Sequence, residues 1–374
     1  MPGLPPVLSD GVVTLRAHRA DDVPDLVRTA QDPLFRRYTR VPVPYTERHA
    51  EDYLDHVRTA MLVGRGVHWA VEARIGGRAR FCGSIDVRLN PPPEVGYGLS
   101  PWARGRGLMS RALRLAARWA FDELELPILH WSTHAGNLAS WRVAHACGFS
   151  FHGVRPLSLV HRGELVDGWF GSLRPETPMA LQTPWWEIPV IEGERVRLRP
   201  LAESDVPRIA EACADPVTQF WLVALPDPYT EEDARKFVGN THLNAALGTA
   251  VSWAIADRED DRLLANVSVF GLDDVFQPEG GEIGYWAHPD ARGRGVVREG
   301  AALAVAHAFR PRGEGGLGRE RLQLGASVDN AGSRAIAERL GFRFLGVHRR
   351  DGYVGRGEAR RFDDGAWYEL LRTP

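Results

Sequence analysis

Two short segments hold the residue types that could do chemistry. Residues 104 to 107 read RGRG, and residues 292 to 295 read RGRG again. Each follows a short apolar stretch and precedes one with helical spacing, which makes it a strand-to-helix turn. The start of an α-helix leaves four backbone N–H groups without intrahelical partners and carries partial positive charge. Glycine lets the backbone wrap closely around an anion, so such a turn suits a phosphate. Gly105 and Gly107 would supply the close approach, and Arg104 and Arg106 the charge. Gly293, Gly295, Arg292 and Arg294 would do the same in the second copy. Leu108, Met109 and Ser110, or Val296 and Val297, continue each cradle into its helix; Ser110 adds a hydroxyl where the other copy has Arg298. A tight turn with solvated arginines is the plainer alternative, and its recurrence counts against it.

The spacing excludes other phosphate sites. Neither segment is GxxxxGK[ST], nor GxGxxG with an acidic residue about 20 positions on. RGG-type RNA-binding tracts are disordered, whereas these segments lie between apolar elements.

The elements around them are duplicated. Leu15-Arg16 matches Leu198-Arg199, Pro44-Tyr45-Thr46-Glu47 matches Pro228-Tyr229-Thr230-Glu231, and Gly148-Phe149 matches Gly341-Phe342, the offset creeping from 183 to 193. Eight of twelve positions agree between Gly96–Gly107 and Gly284–Gly295. A solenoid would show units of about 20–50 residues, so this is a whole domain repeated. The expected division is 1–173, a linker 174–192 with four prolines, and 193–374. Pro-rich stretches are semi-rigid spacers, and Trp185-Trp186 would pack this one on a domain face. In the first half, helical spacing covers 23–30, 48–60, 106–122 and 138–147, with strands over 68–73, 80–87, 94–99, 128–133 and 149–160. Strands alternating with helices predict an α/β fold with a mixed sheet. In helix 106–122, Leu108, Ala112, Leu115 and Trp119 make one stripe, with Arg111, Arg114 and Arg118 largely off it.

Composition bounds the class. The 374 residues are 44% hydrophobic and 25% charged with net charge −2, an ordinary globular balance that argues against a nucleic-acid partner. Cys82, Cys147 and Cys213 lack metal-ligand spacing and suit a reducing cytoplasm. The start has no signal-peptide pattern, and no apolar run reaches the ~18 residues of a membrane span. Of 46 basic residues only Lys236 is lysine, a bias of composition rather than function.

The two RGRG turns resemble the R/Q-x-x-G-x-G/A loop of the GNAT superfamily of N-acetyltransferases. "GNLASWRVAHACGF" (136–149) and "DNAGSRAIAERLGF" (329–342) resemble that family's second signature, in order and at the right distance. Ser three after Asn and Gly-Phe eleven after are most similar to the RimJ/RimL branch, which acetylates protein N-terminal amines. The resemblance covers nearly the whole chain as two copies. It implies two tandem domains, each a mixed, mostly antiparallel twisted sheet flanked by helices. It implies acetyl-CoA, or another acyl-CoA, as co-substrate, with no metal. The loops would hold the pyrophosphate, Asn137 and Asn330 the pantetheine arm, and Ser140 and Ser333 would open the next helix. Two departures stand out: Met109 and Val297 replace Gly or Ala at the sixth loop position. Ala144 and Ala337 stand where many members carry a tyrosine acid.

The implied reaction needs a neutral amine, a held carbonyl and stabilisation of the developing oxyanion. Glu94 and Glu282, each two residues before Gly-Tyr, are the candidate bases, with solvent-facing strand carboxylates as the alternative. His130 and His134 are rivals without evident counterparts, and Ser132 and Ser327 are candidate thiol contacts. A backbone N–H near Leu99–Ser100, and near Ala287–His288, would hold the carbonyl. The first half is the safer choice for catalysis, with both halves binding cofactor. Alternatives are one degenerate half, a non-catalytic CoA-binding scaffold, or aminoacyl transfer from tRNA. The acceptor would be a protein N-terminus or a small molecule, and the chain a monomer or homodimer.

Overall fold

The computed structural model describes residues 4–373. The chain divides into two compact units, Met1–Gln182 and Thr183–Pro374. The first runs β1 (Leu8–Ser9), β2 (Val13–Arg16), α1 (Val23–Gln31), α2 (Pro33–Tyr38), α3 (Glu47–Leu62), β3 (Gly66–Ile75), β4 (Arg78–Arg88) and β5 (Glu94–Leu99). It continues through α4 (Leu108–Leu124), β6 (Leu129–His134), α5 (Leu138–Ala146), β7 (Ser150–His161) and β8 (Glu164–Leu173). The second repeats the sequence of elements: β9 (Ile191–Glu192), β10 (Val196–Arg199), α6 (Val206–Ala214), α7 (Pro216–Trp221), α8 (Glu231–Leu247), β11 (Ala250–Asp257), β12 (Leu263–Phe270) and β13 (Glu282–Ala287). Then come α9 (Val296–Phe309), β14 (Arg321–Ser327), α10 (Ala331–Arg339), β15 (Arg343–Val354) and β16 (Arg361–Leu371).

Each unit is one eight-stranded sheet, in the order β1-β2-β3-β4-β5-β6-β8-β7 and its equivalent β9-β10-β11-β12-β13-β14-β16-β15. All neighbours are antiparallel except β5 with β6 and β13 with β14. The expected mixed, mostly antiparallel sheet with flanking helices is therefore present twice.

Adjacent residues of a strand point to opposite faces, and this sorts the helices. Trp69 of β3 meets Trp119 of α4 edge-on at 5.2 Å. Its neighbour Ala70 is buried with Leu26 of α1 and Ala50 of α3. In the second unit Trp253 meets His307 of α9 at 5.5 Å, while Ala254 packs with Ile209 of α6 and Ala234 of α8. The loop-bearing helix thus lies on one face of each sheet and the first helices on the other.

Three details differ from the sequence reading. The helix expected from 106 starts at Leu108, because Gly107 caps it at φ +68° and a left-handed residue cannot continue a right-handed helix. Its buried face is centred on Met109, Leu113, Ala116, Ala117 and Ala120, so the stripe through Leu115 and Trp119 is one border of it. The short helix α2 was too brief for periodicity to show. The Pro-rich stretch is laid on the units: Arg114 of α4 donates to the Met179 carbonyl at 2.9 Å, and Trp186 is buried and donates to the Gly248 carbonyl at 2.8 Å. Lys236 lies on α8 with its ammonium 2.8 Å from Glu232.

Candidate functional site

The two RGRG turns have the same conformation. Gly105 and Gly107 have φ of +71° and +68°, and Gly293 and Gly295 have +72° and +75°. Among the described residues no side chain caps either helix. The backbone N–H groups of Gly105 to Ser110 have no acceptor among the described residues. A Cβ on Gly105, Gly107 or Gly293 would meet nothing within 4 Å, so the concave side of each turn is open. These turns fit a diphosphate: unpaired amides, an open approach and a helix start. Leu108, Met109, Val296 and Val297 bury their side chains in the core, leaving only backbone to offer.

The arginines divide the work differently from the sequence reading. Arg104 pairs with Asp32 at 2.6 Å, and Arg292 with Asp215 in the same way. Each aspartate also caps α2 or α7, accepting from Phe35 N–H at 2.8 Å and Thr218 N–H at 3.0 Å. Although burial opposes it, the arginine beside each carboxyl and the backbone donors hold both aspartate pKa values below the usual range. The first arginine therefore anchors the loop to a helix. The exposed Arg106 and Arg294 carry no ion pair among the described residues and are the cations a phosphate could recruit. In the second unit Arg195 adds a guanidinium: it pairs with Glu299 at 2.9 Å and donates to the Arg294 carbonyl at 3.1 Å.

The second signature is built around helix caps. Asn137 and Asn330 are the N-caps of α5 and α10, accepting from Ser140 N–H at 3.2 Å and Ser333 N–H at 3.1 Å. Asn137 also donates to Thr133 Oγ1 at 2.8 Å, which engages both ends of its amide. The hydroxyls of Tyr97 and Tyr285 donate to the Ser140 and Ser333 carbonyls at 2.8 and 3.1 Å. Burial raises both phenols, Tyr285 to about 12, so both stay protonated. Ala144 and Ala337 are wholly buried.

Between loop and signature the sheet opens. The β5–β6 ladder has two partner pairs, Glu94 with His130 and Val95 with Trp131, and then ends. The β13–β14 ladder has one, Glu282 with Gln323. Ser100 N–H is spent on the Cys82 carbonyl and His288 N–H on the Leu264 carbonyl. Alternation along an antiparallel ladder then points Leu99 and Ala287 N–H into the gap.

The carboxylates beside each gap are held differently. Ser132 donates to Glu94, and Arg88 bridges Glu94 and Asp86 with contacts of 3.1 Å to each. Glu282 has no hydrogen bond or ion pair among the described residues. Burial, with a smaller contribution from Asp351, raises its pKa. The Ser327 hydroxyl is engaged by Asp363. Register pairs His130 with Gln323, Ser132 with Gly325 and His134 with Ser327 as equivalents. His134 lies edge-on to His161 at 4.7 Å, and burial lowers its pKa.

An acetyltransferase (GNAT) domain matches residues 13–150 and again residues 195–343. The chain belongs to the GNAT acetyltransferases. Among its relatives is YjcK of Bacillus subtilis, an N-acetyltransferase by name, 26% identical over 170 residues, or 43% of this chain and 88% of the relative. YdaF of the same organism, by name a ribosomal N-acetyltransferase, is 26% identical over 48% of this chain and 93% of its own length. The chain is also similar to a solved structure of RimL, a ribosomal L7/L12 α-N-protein acetyltransferase in complex with coenzyme A. They share 22% identity over 49% of this chain and 98% of that one, with a TM-score of 0.42.

Two neighbours of the opened strands in this GNAT chain escape sequence reasoning. Asp86 lies opposite Gly96 on the face of the first sheet that carries α1 and α3, and burial pushes its pKa up to about 6. Phe35 of α2 covers Gly98, where a Cβ would come within 2.7 Å of its ring. In the second unit Ser268 stands in place of Asp86, Thr218 in place of Phe35 and Trp286 in place of Gly98. Strand registers and helix caps reveal both pairs; spacing within the chain does not. No helix is long and apolar enough to cross a membrane, and no group of three metal-ligating residues occurs among the described residues.

Proposed function

We propose that this chain is an acyl-CoA-dependent N-acyltransferase that moves an acetyl, or another short acyl, group directly to a primary amine. What carries the reading is the coincidence, in both units, of an opened parallel strand pair with a loop of unpaired amides at a helix start. The carrier supplies the acyl group activated as a thioester. Gly105 to Ser110, and Gly293 to Val297, would bind its diphosphate through backbone N–H groups, with Arg106 and Arg294 adding charge. Leu99 and Ala287 N–H would hold the acyl oxygen and stabilise the negative charge that develops there. Asn137 and Asn330 would flank the pantetheine arm while capping their helices.

A protonated amine is no nucleophile, so its proton must leave as the nitrogen bonds the acyl carbon and the carbon–sulfur bond breaks. The position two residues before Gly-Tyr carries the carboxylate for that step, and the two units hold it in different ways. With alanine at 144 and 337, the departing thiolate takes its proton from water. The ribosomal N-acetyltransferase among the relatives favours a protein N-terminus as acceptor, with a small-molecule amine as the other class.

Titration calorimetry with acetyl-CoA, followed by a thiol-release assay over peptides and small primary amines, tests this. Binding with amine-dependent thiol release is the expected result. Binding without release on any amine would favour a CoA-binding scaffold, and no binding would remove the reading altogether.

A further inference from the structure

The two units place the same carboxylate in opposite surroundings. Strand register makes Glu94 equivalent to Glu282, Arg88 to Phe270, Asp86 to Ser268 and Ser132 to Gly325. In the first unit each of these neighbours acts on the carboxylate pair. Arg88 sends one guanidinium nitrogen to Glu94 and another to Asp86, and the Ser132 hydroxyl takes the other Glu94 oxygen. Both oxygens of Glu94 are thus engaged, one of them by a cation. In the second unit every one of these partners is gone. Phe270 lays its ring against Gly284, where a Cβ would be 3.2 Å away, and Gly325 has no side chain to donate. Among the described residues the charged group acting on Glu282 is a like one, Asp351, itself held by the Trp367 indole at 2.7 Å and lying 3.5 Å from the His348 imidazole.

Resting on the acyltransferase reading above, we propose that the two units are unequal. Glu282 accepts the proton of the acceptor amine in the second unit, and Arg88 locks Glu94 into an ion pair that prevents the same step in the first. The chemistry follows from which carboxylate oxygens are free. A carboxylate whose two oxygens are taken by a guanidinium and a hydroxyl presents neither to an incoming amine. One beside an aromatic ring and a second carboxylate gains by taking a proton. Asp86 offers no substitute, since it lies one strand further from the gap. The first unit keeps an intact loop, so it binds carrier without activating an amine. This reverses the sequence-level preference for the first half.

The test uses the full chain, acetyl-CoA and whichever amine gives the highest thiol release. Glu282→Gln should lower kcat/KM by about 100-fold or more, the usual range for losing a general base. Acetyl-CoA affinity, the number of carriers bound and the melting temperature should not move. Glu94→Gln should cost less than about a tenth of that loss. In the Glu282→Gln background, Arg88→Phe, which copies Phe270, should restore turnover about 10-fold by freeing Glu94. Equal losses in the two glutamine variants, a larger loss for Glu94→Gln, or no gain from Arg88→Phe in a folded protein would overturn the inequality while leaving the acyltransferase standing. Absence of thiol release by the unmutated chain on every amine would take down both.

Discussion

At the scale of single residues, backbone conformation and charge make separate demands. Gly107 and Gly295 sit at φ of +68° and +75°, where an L side chain costs about 1–2 kcal/mol. Gly107→Ala and Gly295→Ala should therefore lower the melting temperature by a few degrees as well as weaken acetyl-CoA binding. Calorimetric melts and titrations on the same samples separate the two effects. Binding losses without a melting change would mean the loop's conformation carries no strain. Asp86 gives a pH-dependent expectation. Its pKa stands near 6 in the folded chain against 3.8 ordinarily, so the folded state holds the proton more tightly. Its contribution to stability is complete below pH 3.8 and lost as pH rises through 6. The melting temperature of Asp86→Asn, relative to the natural chain, should thus climb between pH 4 and 7; a flat difference would show that Arg88 fully compensates the charge. The doubled RGRG and both glutamates were legible in the sequence because the repeat marks them. The partners that decide their behaviour were not, since Arg104 finds Asp32 across 72 positions and Glu94 finds Arg88 only through the β4–β5 register.

At the scale of elements, the two units fill one space with different side chains. Helix α2 brings Phe35 over Gly98, whereas α7 brings Thr218 and the strand carries Trp286. Gly98→Trp alone should clash with Phe35 and cost about 1–3 kcal/mol, the usual range for an overpacked site. Adding Phe35→Thr should recover most of it. A denaturant double-mutant cycle measures the coupling, and strictly additive costs would show that the two positions do not share a space. The same short helix ties the RGRG turn to the strand at Gly98, because its cap Asp32 also grips Arg104. Removing that carboxylate in Asp32→Ala takes away a helix cap worth about 1 kcal/mol and unties the loop. Acetyl-CoA affinity should then fall even though no atom of Asp32 is placed against the carrier. Long helices and alternating strands were readable from periodicity. The six-residue helices α2 and α7 were not, since fewer than two turns leave no period to read.

At the scale of the whole chain, two complete cores and two equivalent loops predict two carriers bound per polypeptide. Native mass spectrometry should count two, falling to one when either loop glycine is replaced by a bulky residue. One carrier in the natural chain would mean that a second copy of the motif persists without its ligand. An enzyme that acylates amines also meets its own. In these 374 residues the side-chain ammonium groups number one, at Lys236, where Glu232 holds it. Arginine elsewhere keeps the positive charge yet offers no nucleophile at neutral pH. Such a polypeptide is nearly invisible to its own reactivity: prolonged exposure to acyl donor should add no more than a single acyl mass on side chains, so intact-mass measurement during turnover reads the acceptor against a silent background.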